Sequence, residues 1–289
     1  MTNTNLPHNF ARRLVVVAGL AKWLGAAATG GVVGNFAYDA LTKREEKVEL
    51  LHLFPSFDAT QLVPGSHHPE EGFHPDVLAA LNGLLPMLNA LRRTTPVDFK
   101  MLPVPDRSKD LLLLGGPISN ELSRELHGHA FTGSKISPLP TRRSGFRWHF
   151  FYPDLVAGEP PYSRYVSNTF RSTMRKALVD TKAPSSARLV DSRTGADGFI
   201  ANDYLLITVQ PNSVVEGSGT TIVEVADLQG QGDKAFATVL ATEALRRELH
   251  SGIKAAKSFQ ALYEVPVQHN NLKRTTSPGV PKLVGLQLL

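Results

Sequence analysis

Residues 111–126 read LLLLGGPISNELSREL. Four successive leucines suit a strand covered on both faces, the usual state of a strand in a parallel sheet. The run stops at Gly115-Gly116-Pro117, and a polar, helix-like stretch continues from Asn120 to His127. A buried strand that ends in a glycine turn and enters a helix presents unpaired N–H groups, which suit a phosphate. The same residues also serve as a plain strand-to-helix turn. A second junction of this form lies at residues 222–226, followed by Asp227, Gly230, Gly232 and Asp233.

Working outward, strand-like segments occur at 48–54, 97–102, 146–152, 204–210 and 221–226. Closing strands are expected at 259–267 and 283–288. Helical spacing of apolar residues marks 76–93, with Pro86 as a kink, and 233–249, where Ala235, Phe236, Val239, Leu240, Ala244 and Leu245 share a side. Residues 167–178 read as a basic helix. Segments 55–75, 128–145 and 180–202 read as loops. Strands alternating with helices predict an α/β fold. The expected form is a Rossmann-like, mostly parallel sheet with helices on both faces, preceded by an N-terminal apolar helix. The predicted division is 1–43, an N-terminal segment with a transmembrane or partner-packing helix, and 44–289, the Rossmann-like domain.

The N-terminal stretch LVVVAGLAKWLGAAATGGVVGNFAY, residues 14–38, carries only Lys22 as a charge. It is long enough to cross a bilayer as a helix. Gly30 and Gly34 form a GxxxG pair suited to close helix approach. Lys22, Asn35 and the glycines also fit a soluble helix packed on a partner. Arg12-Arg13 before Leu14-Val15-Val16 fits an export signal. Basic residues on either side lean towards a cytoplasmic body.

The chain has 289 residues, net charge +5 and no cysteine, which excludes disulfides, thiolate metal sites and a cysteine nucleophile. Eleven Lys/Arg but only four Asp/Glu fall between Lys135 and Arg193, so one segment carries the positive field. A field of that kind favours an anionic partner, and it is equally the mark of a solvated arginine-rich surface.

Other candidate chemistry is weaker. His67, His68, Glu70, Glu71 and His74 cluster without the HExxH spacing of a zinc site. His127-x-His129 and His149 are candidate bases, though a hydrogen-bonded core histidine is the commoner role. There is no GxSxG nucleophile motif. Aromatics at 146, 148, 150, 151, 152, 162 and 165 near the basic segment suggest base stacking. Their alternation at 148, 150 and 152 points instead to a packed face, so nucleic acid is disfavoured.

The apolar strand with Gly-Gly-Pro and Asn120, followed later by a strand and a Gly-x-Gly helix start, resembles Rossmann-type nucleotide-sensing modules of the bacterial SLOG-type and TIR-like groups. The likeness covers residues 48–250 in outline. It implies a membrane-linked defence protein that senses a nucleotide or NAD. Neither Glu224, in mid-strand, nor Glu243, in a helix, matches the catalytic glutamate of those groups, so no catalytic residue is assigned. The expected ligand site comprises Gly115, Gly116, Asn120, Arg142, Arg143, Asp227, Gly230, Gly232 and Asp233. The leading expectation is therefore a membrane-anchored nucleotide sensor with a cytoplasmic body that responds by homo-oligomerisation of its N-terminal helix. A soluble, cytoplasmic enzyme acting on NAD or a nucleoside, and a self-assembling structural protein, stand as alternatives.

Overall fold

The computed structural model describes residues 60–68, 72–73, 79–84, 106–127, 129–132, 135–140, 145–151, 176–184, 188–195, 199–254, 256–270 and 275–289. The chain is strand-rich. In order come β1 (Gln61–Pro64), β2 (Ser66–His68), β3 (Gly72–Phe73), β4 (Leu111–Leu114), α1 (Glu121–His127), β5 (His129–Thr132), β6 (Lys135–Pro140), β7 (Trp148–Phe151), β8 (Ala177–Asp180) and β9 (Leu189–Asp191). There follow β10 (Asn202–Pro211), β11 (Thr221–Asp227), α2 (Gln231–Ala241), α3 (Glu243–Ile253), β12 (Phe259–Asn270), β13 (Thr275–Pro278) and β14 (Lys282–Leu288). Residues 79–84 are also helical.

The principal sheet runs β1-β4-β11-β10-β12, with β13 and β14 laid along the far side of β12. Among the described residues only β1–β4 and β4–β11 pair in parallel; β10 pairs antiparallel with both β11 and β12. The expected Rossmann-like, mostly parallel sheet is therefore incorrect. The cause is a hairpin. β10 and β11 are joined by residues 212–220, and a connection that short makes its strands antiparallel. The turn is held by Asn212, whose N–H donates to the Thr220 carbonyl at 2.8 Å. Its amide Nδ2 reaches back to the Arg107 carbonyl at 2.6 Å. The α2–α3 pair then carries the chain past β10, so β12 runs in the same direction as β11 with β10 between them.

Side chains alternate between two different faces. On one, Leu112, Leu114, Leu205, Ile207, Val209, Val223, Val225, Ala261 and Tyr263 form the main core with Phe236, Val239 and Leu240 of α2 and Leu249 and Ile253 of α3. On the other, Leu111 and Leu113 pack on Leu122 and Leu126 of α1. Leu206, Ala226 and Leu262 pack there on Trp148, Phe150 and Leu178 from a small antiparallel sheet, β7-β8-β9. Helices thus cover one face, while a short helix and a second sheet cover the other.

The single helix expected over 233–249 is two helices. Thr242 takes an extended conformation (φ −86°, ψ 114°) between them. The buried Arg246 guanidinium of α3 donates to the Leu240 carbonyl at 2.8 Å, which satisfies a carbonyl at the end of α2. Loops expected at 128–145 and 180–202 contain β5, β6 and β9, and residues 177–178 of the expected basic helix belong to β8.

Among the described residues no helix is long and apolar enough to cross a membrane. The membrane-anchored assignment is accordingly withdrawn. Residues 14–38, on which it rested, lie outside the described residues, as do the strands expected at 48–54 and 97–102.

Candidate functional site

Because β4 and β11 are parallel neighbours, their carboxyl ends lie side by side, and both glycine turns open at one edge of the sheet. At the first, Gly115 adopts φ 91°, a region glycine enters without steric penalty, and its N–H donates to the Val225 carbonyl at 2.9 Å. Asn120 then caps α1. Its Oδ1 accepts from the N–H groups of Leu122 (3.1 Å) and Ser123 (3.3 Å). Its Nδ2 donates to the carbonyls of Val63 (3.0 Å) and Leu114 (3.2 Å), tying the ends of β1 and β4 together. The Arg124 guanidinium donates to the carbonyls of Pro117 and Ile118, both at 3.0 Å.

The second turn is closed by carboxylates. One Asp203 oxygen accepts from the backbone N–H groups of Gln229 (3.2 Å), Gln231 (2.9 Å) and Gly232 (3.0 Å); the other accepts from Tyr204 at 2.7 Å. Asp227 accepts from the Asp233 N–H at 2.9 Å. These are the donors an incoming phosphate would use, and the protein's own anions already hold them. Gly230, at φ 86°, makes the turn into α2. Gly232 is needed for close packing: a Cβ there would lie 2.5 Å from the Asp227 Cβ and 2.7 Å from the Tyr204 carbonyl oxygen. At Gly116 a Cβ would make only ordinary contacts, at 3.5 Å from Ala226 and Phe150.

The structure therefore brings together Gly115, Gly116, Asn120, Asp227, Gly230, Gly232 and Asp233 at one edge. Arg142 and Arg143, the expected anion contacts, lie outside the described residues. Asp203 escaped the sequence reading because the N–H groups that donate to it are carried on a turn 26 to 29 residues further on.

Electrostatically this edge is acidic. Asp203, Asp227 and Asp233 are all buried, and Asp227 retains 9% of its surface. Burial, reinforced by the charge of Asp203 and partly offset by Lys176, pushes the Asp227 carboxyl up to about 7. Burial also raises Asp203, against the backbone N–H groups that stabilise its charged form. A carboxyl that titrates near neutrality can accept hydrogen bonds or exchange a proton with a ligand at ordinary pH.

A second polar cluster lies inside, in a row across the sheet. Leu113, Glu224, Thr208, Gln260 and Gln287 are register neighbours on β4, β11, β10, β12 and β14. Glu224 accepts from the Ser123 hydroxyl and contacts His127 Nε2 at 2.7 Å, with His127 and Glu224 fully buried. Gln260 accepts from the N–H groups of Arg147 (2.9 Å) and Trp148 (3.0 Å) and donates to the Trp148 carbonyl at 3.1 Å. The row thus docks α1 at one point and the small sheet at another. Hydrophobic contact alone is non-directional and would let either slide. Closed off from water, this cluster positions layers and offers no route to a substrate.

Trp148 and Phe150 are buried, as is Phe146, so these three are not free to stack on a base; Tyr152 lies outside the described residues. His67 and His68 fall in β2; Glu70, Glu71 and His74 lie outside the described residues. Among the described residues no group of three His, Cys, Asp or Glu side chains is placed to hold a metal ion.

No family model, curated protein or solved structure matches the chain. The Rossmann-type layout behind the expected nucleotide binding and defence role is absent from the sheet, and the α2 amino end is already filled. Both assignments are withdrawn.

Proposed function

We propose that this is a small-molecule-binding protein whose ligand sits at the carboxyl edge of β4 and β11 and is held through Asp227. The observation that carries the reading is the Asp203–Asp227 pair. Two carboxyl groups are buried side by side at the edge where open α/β sheets commonly bind ligands, and Asp227 titrates near 7. Burying such a pair costs stability, and an arrangement that costs stability is a mark of function. Because the helix N–H groups are occupied, the ligand that fits is a hydrogen-bond donor without a phosphate. An amine or a vicinal diol, such as a nucleoside ribose, has this character. The test is calorimetric titration at pH 6, 7 and 8 with nucleosides, polyols and short polyamines, on the intact chain and on Asp227→Asn. Binding that weakens at least tenfold in the variant supports the reading. Absence of binding across the panel, or affinity untouched by the substitution, overturns it.

A second reading, self-assembly, is favoured by β14. It is an edge strand paired only with β12 among the described residues, and Val284 and Leu288 are 45% and 43% exposed. Light scattering on the intact chain and on Val284→Lys tests it. A monomer at all concentrations refutes it.

A further inference from the structure

Beneath α1 two buried imidazoles lie close together, and one of them, His127, holds a buried carboxylate. His127, the last residue of α1, is fully buried and holds Glu224 of β11 at 2.7 Å. His149 of β7 is 8% exposed; its ring centroid lies 6.5 Å from that of His127. Its Nε2 sits 3.1 Å from the Phe146 carbonyl and so must carry the hydrogen, since a carbonyl only accepts. Neither imidazole's Nδ1 has a hydrogen-bond partner. Phe146 and Phe150 wall the space, with centroids 5.4 Å and 5.1 Å from His127.

The charges around this pair are few. From β11 there is Glu224, whose other oxygen is taken by Ser123. From α1 there are His127 itself and Arg124, whose guanidinium is bonded to the carbonyls of Pro117 and Ile118. From the small sheet there is Arg147, bound to Asp180 at 2.7 Å. The register neighbours of Glu224 on β4 and β10, Leu113 and Thr208, are neutral. A second proton on the imidazole pair therefore meets no second carboxylate among the described residues.

We infer that His127 and His149 form an acid-sensitive latch: a proton taken up by His149 drives β7 away from α1 and loosens the Gly116–Asn120 turn at the sheet edge. This is independent of what binds at that edge. Burial, together with the repulsion of a charged His127, holds His149 down to about 4, below its ordinary 6.5. In the closed state His149 stays neutral; once released it regains an ordinary basicity. A base depressed on closing contributes stability that is complete above 6.5 and is lost as pH falls towards 4. The open fraction is expected to rise on the order of fiftyfold between pH 7 and pH 4.5.

The test is native-state hydrogen exchange on the full chain at these two pH values, corrected for intrinsic exchange rates. Amides of α1 and β7 are expected to lose protection by about that factor relative to α2 and β12. His149→Gln can still donate to the Phe146 carbonyl but takes no proton, so its selective loss is expected to vanish. The variant keeps Glu224 and Asp180, which separates the latch from general acid weakening. Equal loss in both proteins, or loss spread evenly over the chain, overturns the inference. Should His149→Gln fail to fold, an NMR titration of the unmodified chain decides. An imidazole still neutral at pH 5 supports the latch, and midpoints near 6.5 for all the histidines overturn it.

Discussion

Replacing Gln260 by leucine is the sharpest probe of how the two layers are joined. Gln260 is fully buried, and its amide serves groups on β7 and the residue before it. Leucine is of similar size, so little apolar burial changes, but the N–H groups of Arg147 and Trp148 and the Trp148 carbonyl lose their partner. The Gln260 contact with Thr208, at 3.4 Å, goes too. A buried polar group left unsatisfied costs about 1–3 kcal/mol. Arg147 is partly exposed, so water relieves its N–H, and the two groups left stranded put the expected loss at about 2–6 kcal/mol. That is a large part of the roughly 5–15 kcal/mol that typically holds a domain together. The assay is urea unfolding followed by tryptophan emission. The chain has two tryptophans, so a Trp23→Phe background leaves Trp148, which is buried against the same contact, as the reporter. A red-shifted Trp148 emission before any urea is added is also expected. A loss below about 1 kcal/mol with unshifted emission would refute the assignment of Gln260 as the docking residue.

Other outcomes follow from the carboxyl edge. Gly232→Ala forces a Cβ into the Tyr204 carbonyl and the Asp227 side chain, so a drop of about 2–4 kcal/mol in chemical denaturation is expected, whereas Gly116→Ala should stay within about 1 kcal/mol. Asp227→Asn should stabilise the protein at pH 8 and not at pH 4. The carboxyl is raised to about 7 in the folded chain from 3.8, so its protonated form is favoured on folding, and stability present below 3.8 is lost as pH rises through 7; equal melting temperatures at pH 8 would speak against this. Asn120→Ala removes a helix cap and two bonds to strand carbonyls, with an expected loss of about 2–3 kcal/mol in the same unfolding assay.

Much of the element list was legible because local pattern carries it. The leucine run at 111–114, the aromatic strand near 148 and the apolar runs at 204–210 and 221–226 all form strands where their composition places them. Direction was not legible. Nothing in YLLITVQ states whether it runs with or against its neighbour, and the turn at 212–220 was long enough to pass for a loop. The helix break at Thr242 was hidden because the apolar side of α2 and α3 keeps its spacing across it. At the site, the glycines were found and their role was misread. Gly-x-Gly before a helix looks the same whether a phosphate or a distant aspartate fills the amino end, and Asp203 is remote in sequence. Glu224 was seen as a mid-strand glutamate, but its partners Ser123 and His127 lie on an element that only the fold brings near.

The central place of β11 also bears on how the chain is made. Leu111 of β4 pairs with Ile222 of β11, and among the described residues β1 joins the sheet through β4. The β10–β11 hairpin, α2–α3 and β12 pair among near neighbours, so the C-terminal third can assemble from short-range contacts, whereas the N-terminal strands must close a very long loop. Since synthesis proceeds from the other end, the four leucines of β4 emerge long before their β11 partner exists. During translation that segment has β1 available for one edge and no partner for the other, and it is there that a holding chaperone would act and that a stalled or truncated product would aggregate.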